Sequence, residues 1–103
     1  MARSPSLSYG AAAVLHAVAD GKSFGFDIID ATGLTSGTVY PTLERLEARG
    51  LLRSTWENAA EAHREGRPAR RNFTLTPAGA DALRAALDRY KALRPIPGLR
   101  GNA

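Results

Sequence analysis

A chain of 103 residues with 44% hydrophobic and 23% charged residues fits one globular domain, and no apolar run approaches the roughly 20 residues that span a bilayer. Zero cysteines exclude a disulfide framework and thiolate chemistry. The formal charge of +4 points to a polyanionic partner, and it is unevenly placed: residues 1–34 carry two basic against three acidic side chains, the remainder twelve against seven.

The N-terminus "MARSPSLSYGAAAVLHAV" runs into a helical repeat and shows no clear signal-peptide core, so a cytoplasmic protein is expected. Leu7, Ala11, Val14, Leu15 and Val18 recur at helical spacing, with Ser6 or Ser8 as N-cap and Gly21 as a stop. A shorter helix capped by Ser23 follows to Asp30 or Ala31, with Phe24, Ile28 and either Phe26 or Ile29 expected to be buried. "TGLTSG" reads as a turn. In the third helix Val39, Leu43 and Leu46 form one stripe and Gly50 closes the C-terminus.

The opposite face of that helix collects Gly37, Thr38, Pro41, Glu44, Arg45 and Ala48, with Ser36, Tyr40 and Arg49 at its margins. Small residues keep this face low, while hydroxyl and guanidinium donors suit phosphates or base edges. Pro41 costs a helical hydrogen bond, and in the first two turns the loss and the bend fall near the end that would meet DNA. Glu44 disturbs this reading, since a carboxylate beside phosphates needs either a cytosine amino group or a nearby arginine.

Alternation in "LLRSTW" (Leu52, Ser54, Trp56) and "RRNFTL" (Arg71, Phe73, Leu75) predicts two strands, paired antiparallel. The intervening "ENAAEAHREGRPAR" is expected to be an extended, mobile loop, and with the following residue it presents Arg64, Arg67, Arg70 and Arg71 within eight positions. Thr76-Pro77 starts a last helix with Ala80, Leu83, Ala86, Leu87, Tyr90 and Leu93 on its apolar face, ended by Pro95 and Pro97. The order helix, helix, helix, strand, loop, strand, helix is that of a winged helix-turn-helix, an α+β fold that is mainly α with a two-stranded wing.

"SGTVYPTLERLEARGLL" followed by "EGRPARRNFTLTPAG" resembles the PadR family of bacterial transcriptional regulators over about Leu7 to Tyr90. Ala69 among the basic wing positions departs from the family pattern, and no longer C-terminal sensing domain is expected. The resemblance implies a dimeric DNA-binding regulator, usually a repressor, whose last helix pairs with the first helix of a partner. The chain is accordingly divided into a tail (1–6), a winged helix-turn-helix domain (7–76), a C-terminal dimerisation helix (77–94) and a second tail (95–103).

Ser36, Thr38, Tyr40, Pro41 and Arg45 are the expected major-groove residues, with Arg64, Arg67, Arg70 and Arg71 as wing contacts to double-stranded DNA. Leu7, Val14, Leu83, Leu87 and Tyr90 are the expected homodimer contacts, and a small-molecule effector of unknown identity is compatible with the family. Trp56 and Tyr90 are expected to belong to the core rather than to an effector pocket, and His16 and His63 to the surface. No cofactor or metal is expected, because the two histidines stand far apart without cysteines. "HAVADGKS" ends like a phosphate-binding loop but lacks the leading glycine and the preceding strand, so no enzyme is expected. The rival reading is an adaptor that uses the basic face on an acidic protein.

Overall fold

A computed structural model describes residues 6–96. Helix α1 (Tyr9–Ala19), α2 (Gly25–Thr32) and α3 (Ser36–Ala48) lead into strand β1 (Leu52–Trp56), a short helix α4 (Ala59–Arg64), strand β2 (Arg71–Leu75) and helix α5 (Pro77–Arg89). The helix boundaries have local causes. Ser8 accepts a hydrogen bond from the Ala11 amide at 3.1 Å, and Thr76 accepts one from Gly79 at 3.0 Å with Pro77 in the first turn. Gly50, at φ 78°, closes α3: its amide donates to Glu47 and the Leu51 amide reaches back to Leu46 at 3.0 Å.

β1 and β2 pair antiparallel with Leu52 opposite Leu75 and Trp56 opposite Arg71. The segment before α2 joins this ladder through a Phe24–Asn72 bridge, with the Phe73 amide donating to the Ser23 carbonyl at 2.8 Å. The wing is thereby tied to the start of α2. Leu15, Ile28, Val39, Leu43, Leu46 and Leu83 are fully buried in one core shared by α1, α2, α3 and α5, with Phe73 sealing it from the sheet. Each such side chain contributes on the order of 2 kcal/mol of burial.

Four expectations need correction. The stretch between the strands contains α4, because Asn58 caps it by accepting from the Glu61 amide and Ala62 finds a buried seat. α5 ends at Arg89, before the expected Leu93, because Tyr90 takes an extended backbone. Trp56 is 68% exposed and does not join the core, whereas of the alternatives Phe26 and Ile29 it is Ile29 that packs against it. Gly25 is the first residue of α2 and Phe24 its N-cap, so Ser23 does not cap it and the Ser23 carbonyl instead serves the sheet. The expected tails fall largely in residues 1–5 and 97–103, outside the described residues, as does Pro97.

Candidate nucleic-acid interface

α3 begins at Ser36, so Pro41 occupies its second turn, where the carbonyl of Gly37 has no amide four residues on to accept from. Ser36, Gly37, Thr38, Tyr40, Pro41, Glu44, Arg45 and Ala48 are all exposed, while Val39, Thr42, Leu43 and Leu46 face inward. Thr42 is the polar exception on the inner side. Its hydroxyl donates to the Thr38 carbonyl at 2.7 Å and accepts from Arg45 Nη2 at 3.2 Å, which steers the Arg45 guanidinium along the helix flank. Thr35 donates to the Thr38 hydroxyl at 3.2 Å. The ring of Tyr40 rests over Gly25: a β-carbon there would lie 2.5 Å from Tyr40 Cε1, so the missing side chain of α2 makes room for the exposed face of α3.

The four wing arginines divide by partner. Arg71 leaves the wing and reaches α3, donating to Glu44 at 2.7 Å, to Glu47 at 2.6 Å and to Ser54 at 3.3 Å. This resolves Glu44: its carboxylate is neutralised by Arg71 from the neighbouring strand. The Arg71 pKa is raised chiefly by its hydrogen bond to Glu44, and the Glu47 carboxyl is lowered first by the Ser54 hydroxyl and then by Arg71.

Arg67 and Arg70 converge on Glu57. Arg67 grips both carboxylate oxygens and also meets Glu65 at 3.0 Å, while Arg70 donates from its side chain at 3.2 and 3.3 Å and from its backbone amide at 3.0 Å. With Arg67 first and Arg70 second, these bonds hold the Glu57 carboxyl down to about 2. Glu57 was not among the expected site residues, yet strand register points to it, since the pair Trp56–Arg71 sets Glu57 beside Arg70. Arg64 is exposed and makes no ion pair among the described residues.

The residues expected at a dimer contact are placed unequally. Val14 and Leu83 are wholly enclosed by the chain's own core and Leu7 nearly so, which leaves them no surface to offer a partner in this conformation. Leu87 and Tyr90 are half-buried; the Tyr90 hydroxyl donates to the Leu7 carbonyl at 2.7 Å and its ring meets Tyr9 edge-on at 5.3 Å. A cleft of about 410 Å³ opens between Leu7, Leu51 and the Ala78, Ala82 and Ala85 side of α5. His63 is exposed, and His16 is half-buried with Nε2 2.6 Å from the Arg94 carbonyl oxygen. Among the described residues no three metal-ligating side chains cluster, and no helix is long and apolar enough to cross a membrane. "HAVADGKS" spans the end of α1 and the turn after it.

The sequence profile of the family described as "Transcriptional regulator PadR-like family" matches residues 14–85. No curated protein matches the chain. Among solved structures, Bordetella bronchiseptica BpsR, whose DNA binding is described as regulated by 6-hydroxynicotinic acid, superposes with a TM-score of 0.70 at 25% identity over 89% of this chain and 65% of its own. A PadR family transcription regulator from Clostridium difficile superposes with a TM-score of 0.70 at 21% identity, over 82% of this chain and 90% of its own. Staphylococcus aureus MepR, solved with DNA, shares the fold with a TM-score of 0.61 at 23% identity, over 84% and 66%.

Proposed function

The chain belongs to the PadR-like family of transcriptional regulators, and from that membership we propose that it binds an inverted-repeat operator as a homodimer, in the cytoplasm, and acts there as a repressor. It is a DNA-binding regulator and not an enzyme. The observation that carries the finer reading is the exposed side of α3, slim and rich in donors, standing next to an arginine-bearing wing.

In this reading Thr38 and Arg45 meet base edges, while Ser36, Tyr40 and Pro41 line the groove wall. Arg64 is the readiest wing contact to phosphate, and Arg67 and Arg70 reach DNA by exchanging Glu57 for phosphate oxygens. Arg71 acts from behind, through Glu44 and Glu47. Leu87, Tyr90 and the alanine side of α5 form the contact between subunits, and two-fold symmetry in the protein then requires two-fold symmetry in the operator. The effector-controlled binding described for BpsR supports a small-molecule effector here as well.

Selection of duplexes from a randomised pool tests the reading, and an enriched palindrome is the expected result. Failure to enrich any sequence, with an acidic protein captured instead, would replace the regulator with an adaptor. On the selected duplex, Arg64→Ala is expected to reduce the slope of log affinity against log salt by about one unit. Thr38→Ala or Arg45→Ala should change the preferred bases and leave affinity for unrelated DNA intact. An unaltered salt slope in Arg64→Ala would remove Arg64 from the interface.

A further inference from the structure

Five of the chain's seven aromatic side chains, Phe24, Phe26, Tyr40, Trp56 and Phe73, line a single cleft of about 340 Å³ between the start of α2, the second turn of α3 and the loop end of the β1–β2 ladder. Three of them stand open to solvent: Phe26 at 75%, Trp56 at 68% and Tyr40 at 48%. Isolated exposed aromatics need no explanation, but clustered ones mark a surface that another body covers.

Strand register shows which way the cleft looks. Trp56 sits directly opposite Arg71, so both side chains leave the ladder on the same face. Arg71 crosses from that face to Glu44, on the exposed side of α3. Trp56 therefore borders the surface that carries Tyr40 and Pro41. The cleft also has an arginine rim, its guanidinium groups engaged by Glu57 and by Glu44 and Glu47: the Arg70 guanidinium stacks 3.9 Å from the Phe24 ring centre, and that of Arg71 4.9 Å from Phe73. Exposed flat rings beside guanidinium groups match a partner that alternates apolar deoxyribose faces with anionic phosphates.

We propose that Phe26, Tyr40 and Trp56 form a clamp on the sugar–phosphate strand bordering the groove, with their rings against deoxyribose and Arg70 at the adjacent phosphate. The clamp rests on the DNA reading above, and it adds a distinct kind of contact. Covering apolar rings releases no counterions, so the share of the affinity that the three rings supply is independent of salt, unlike that of Arg64 or Arg70.

Trp56 is the chain's single tryptophan, so its fluorescence reports on this cleft alone. Quenching by acrylamide is measured on the full chain when free, with the selected duplex, and with inorganic polyphosphate, while anisotropy of labelled duplex records binding separately. The duplex is expected to cut quenching several-fold, and polyphosphate, which has charge but no sugar, to leave it high. Trp56→Ala should weaken duplex binding about tenfold, the effect of uncovering some 60 Å² of apolar surface, with an unchanged salt slope. Phe26→Ser, at a more exposed position, should repeat the pattern and shows that the loss does not come from a damaged strand. A bound duplex that leaves Trp56 as open as in the free protein overturns the clamp while the regulator reading stands. Shielding of Trp56 that rises with protein concentration in the absence of DNA also overturns it, by assigning the cleft to a second copy of the chain. Absence of any duplex binding brings down both readings together.

Discussion

Glu57 controls how much of the wing's positive charge is free. Its carboxylate takes up donors from both Arg67 and Arg70, so two of the four wing arginines are engaged within the fold before any nucleic acid arrives. Glu57→Gln is expected to keep the fold, raise affinity for unrelated DNA and steepen its salt dependence, as measured by anisotropy at two salt concentrations. The same carboxylate gives a pH signature. Its pKa falls from the ordinary 4.5 to about 2 on folding, so the stability it contributes is complete above about pH 5 and is lost as pH falls through 4.5 toward 2. Melting temperatures of the parent and Glu57→Gln should therefore converge over that window and stay apart above it. A gap that persists unchanged at pH 2 would sink the Glu57 contact with Arg67 and Arg70. Gly79 has a simpler role: a β-carbon there would overlap the Leu51 carbonyl oxygen, so Gly79→Ala should cost roughly 2–3 kcal/mol and lower the melting temperature by about 10–20 °C.

Between elements, the wing and α3 are joined by one side chain. Arg71 on β2 spans Glu44 and Glu47, one turn apart on α3, and Ser54 on β1. Arg71→Ala would leave two like charges on one helix face without a counter-ion. A loss of about 1–2 kcal/mol is expected, seen as a lower urea midpoint at unchanged slope, and most of it belongs to the less exposed Glu47–Ser54 side. The second coupling is between α2 and α3. In Gly25→Ala the new methyl would strike the Tyr40 ring, whereas Tyr40→Ala removes the obstacle. A double-mutant cycle on stability should give a coupling of about 1–2 kcal/mol; additive effects would mean that the ring does not rest on Gly25 in solution.

These couplings also show where the order of residues was informative. The stripes of α1 and α3, the Thr76-Pro77 start and the two strands were legible because each is written in local periodicity or in a single capping residue. α4 was not, because a six-residue helix depends on the buried seat of Ala62 and on Asn58 more than on propensity. The destination of Trp56 was also hidden. Alternation gives the two faces of a strand, but not which end of a short wing overhangs the core.

For the whole molecule, the proposed assembly turns on α5. Leu83 and Ala86 belong to the protomer's own core, so a partner can meet only the half-buried and exposed side with Leu87, Tyr90 and the alanines. Leu87→Glu is expected to shift the solution mass from twice the 11.0 kDa chain to a single copy. It should also weaken binding to an inverted repeat far more than to one half-site, because linked half-site binding is lost. A variant that stays dimeric would move the subunit contact away from Leu87.

Periodicity, caps and charge placement were enough to determine a winged helix with a basic second half, because those signals act between residues a few positions apart. Partner choice among the arginines was decided only by the tertiary structure. Glu57 lies ten and thirteen positions from Arg67 and Arg70, and Glu44 and Glu47 lie 27 and 24 from Arg71. Whether such a charge is neutralised or offered to DNA depends on distances that exist once strand register and helix packing bring the groups together, since electrostatic attraction acts through space and not along the chain.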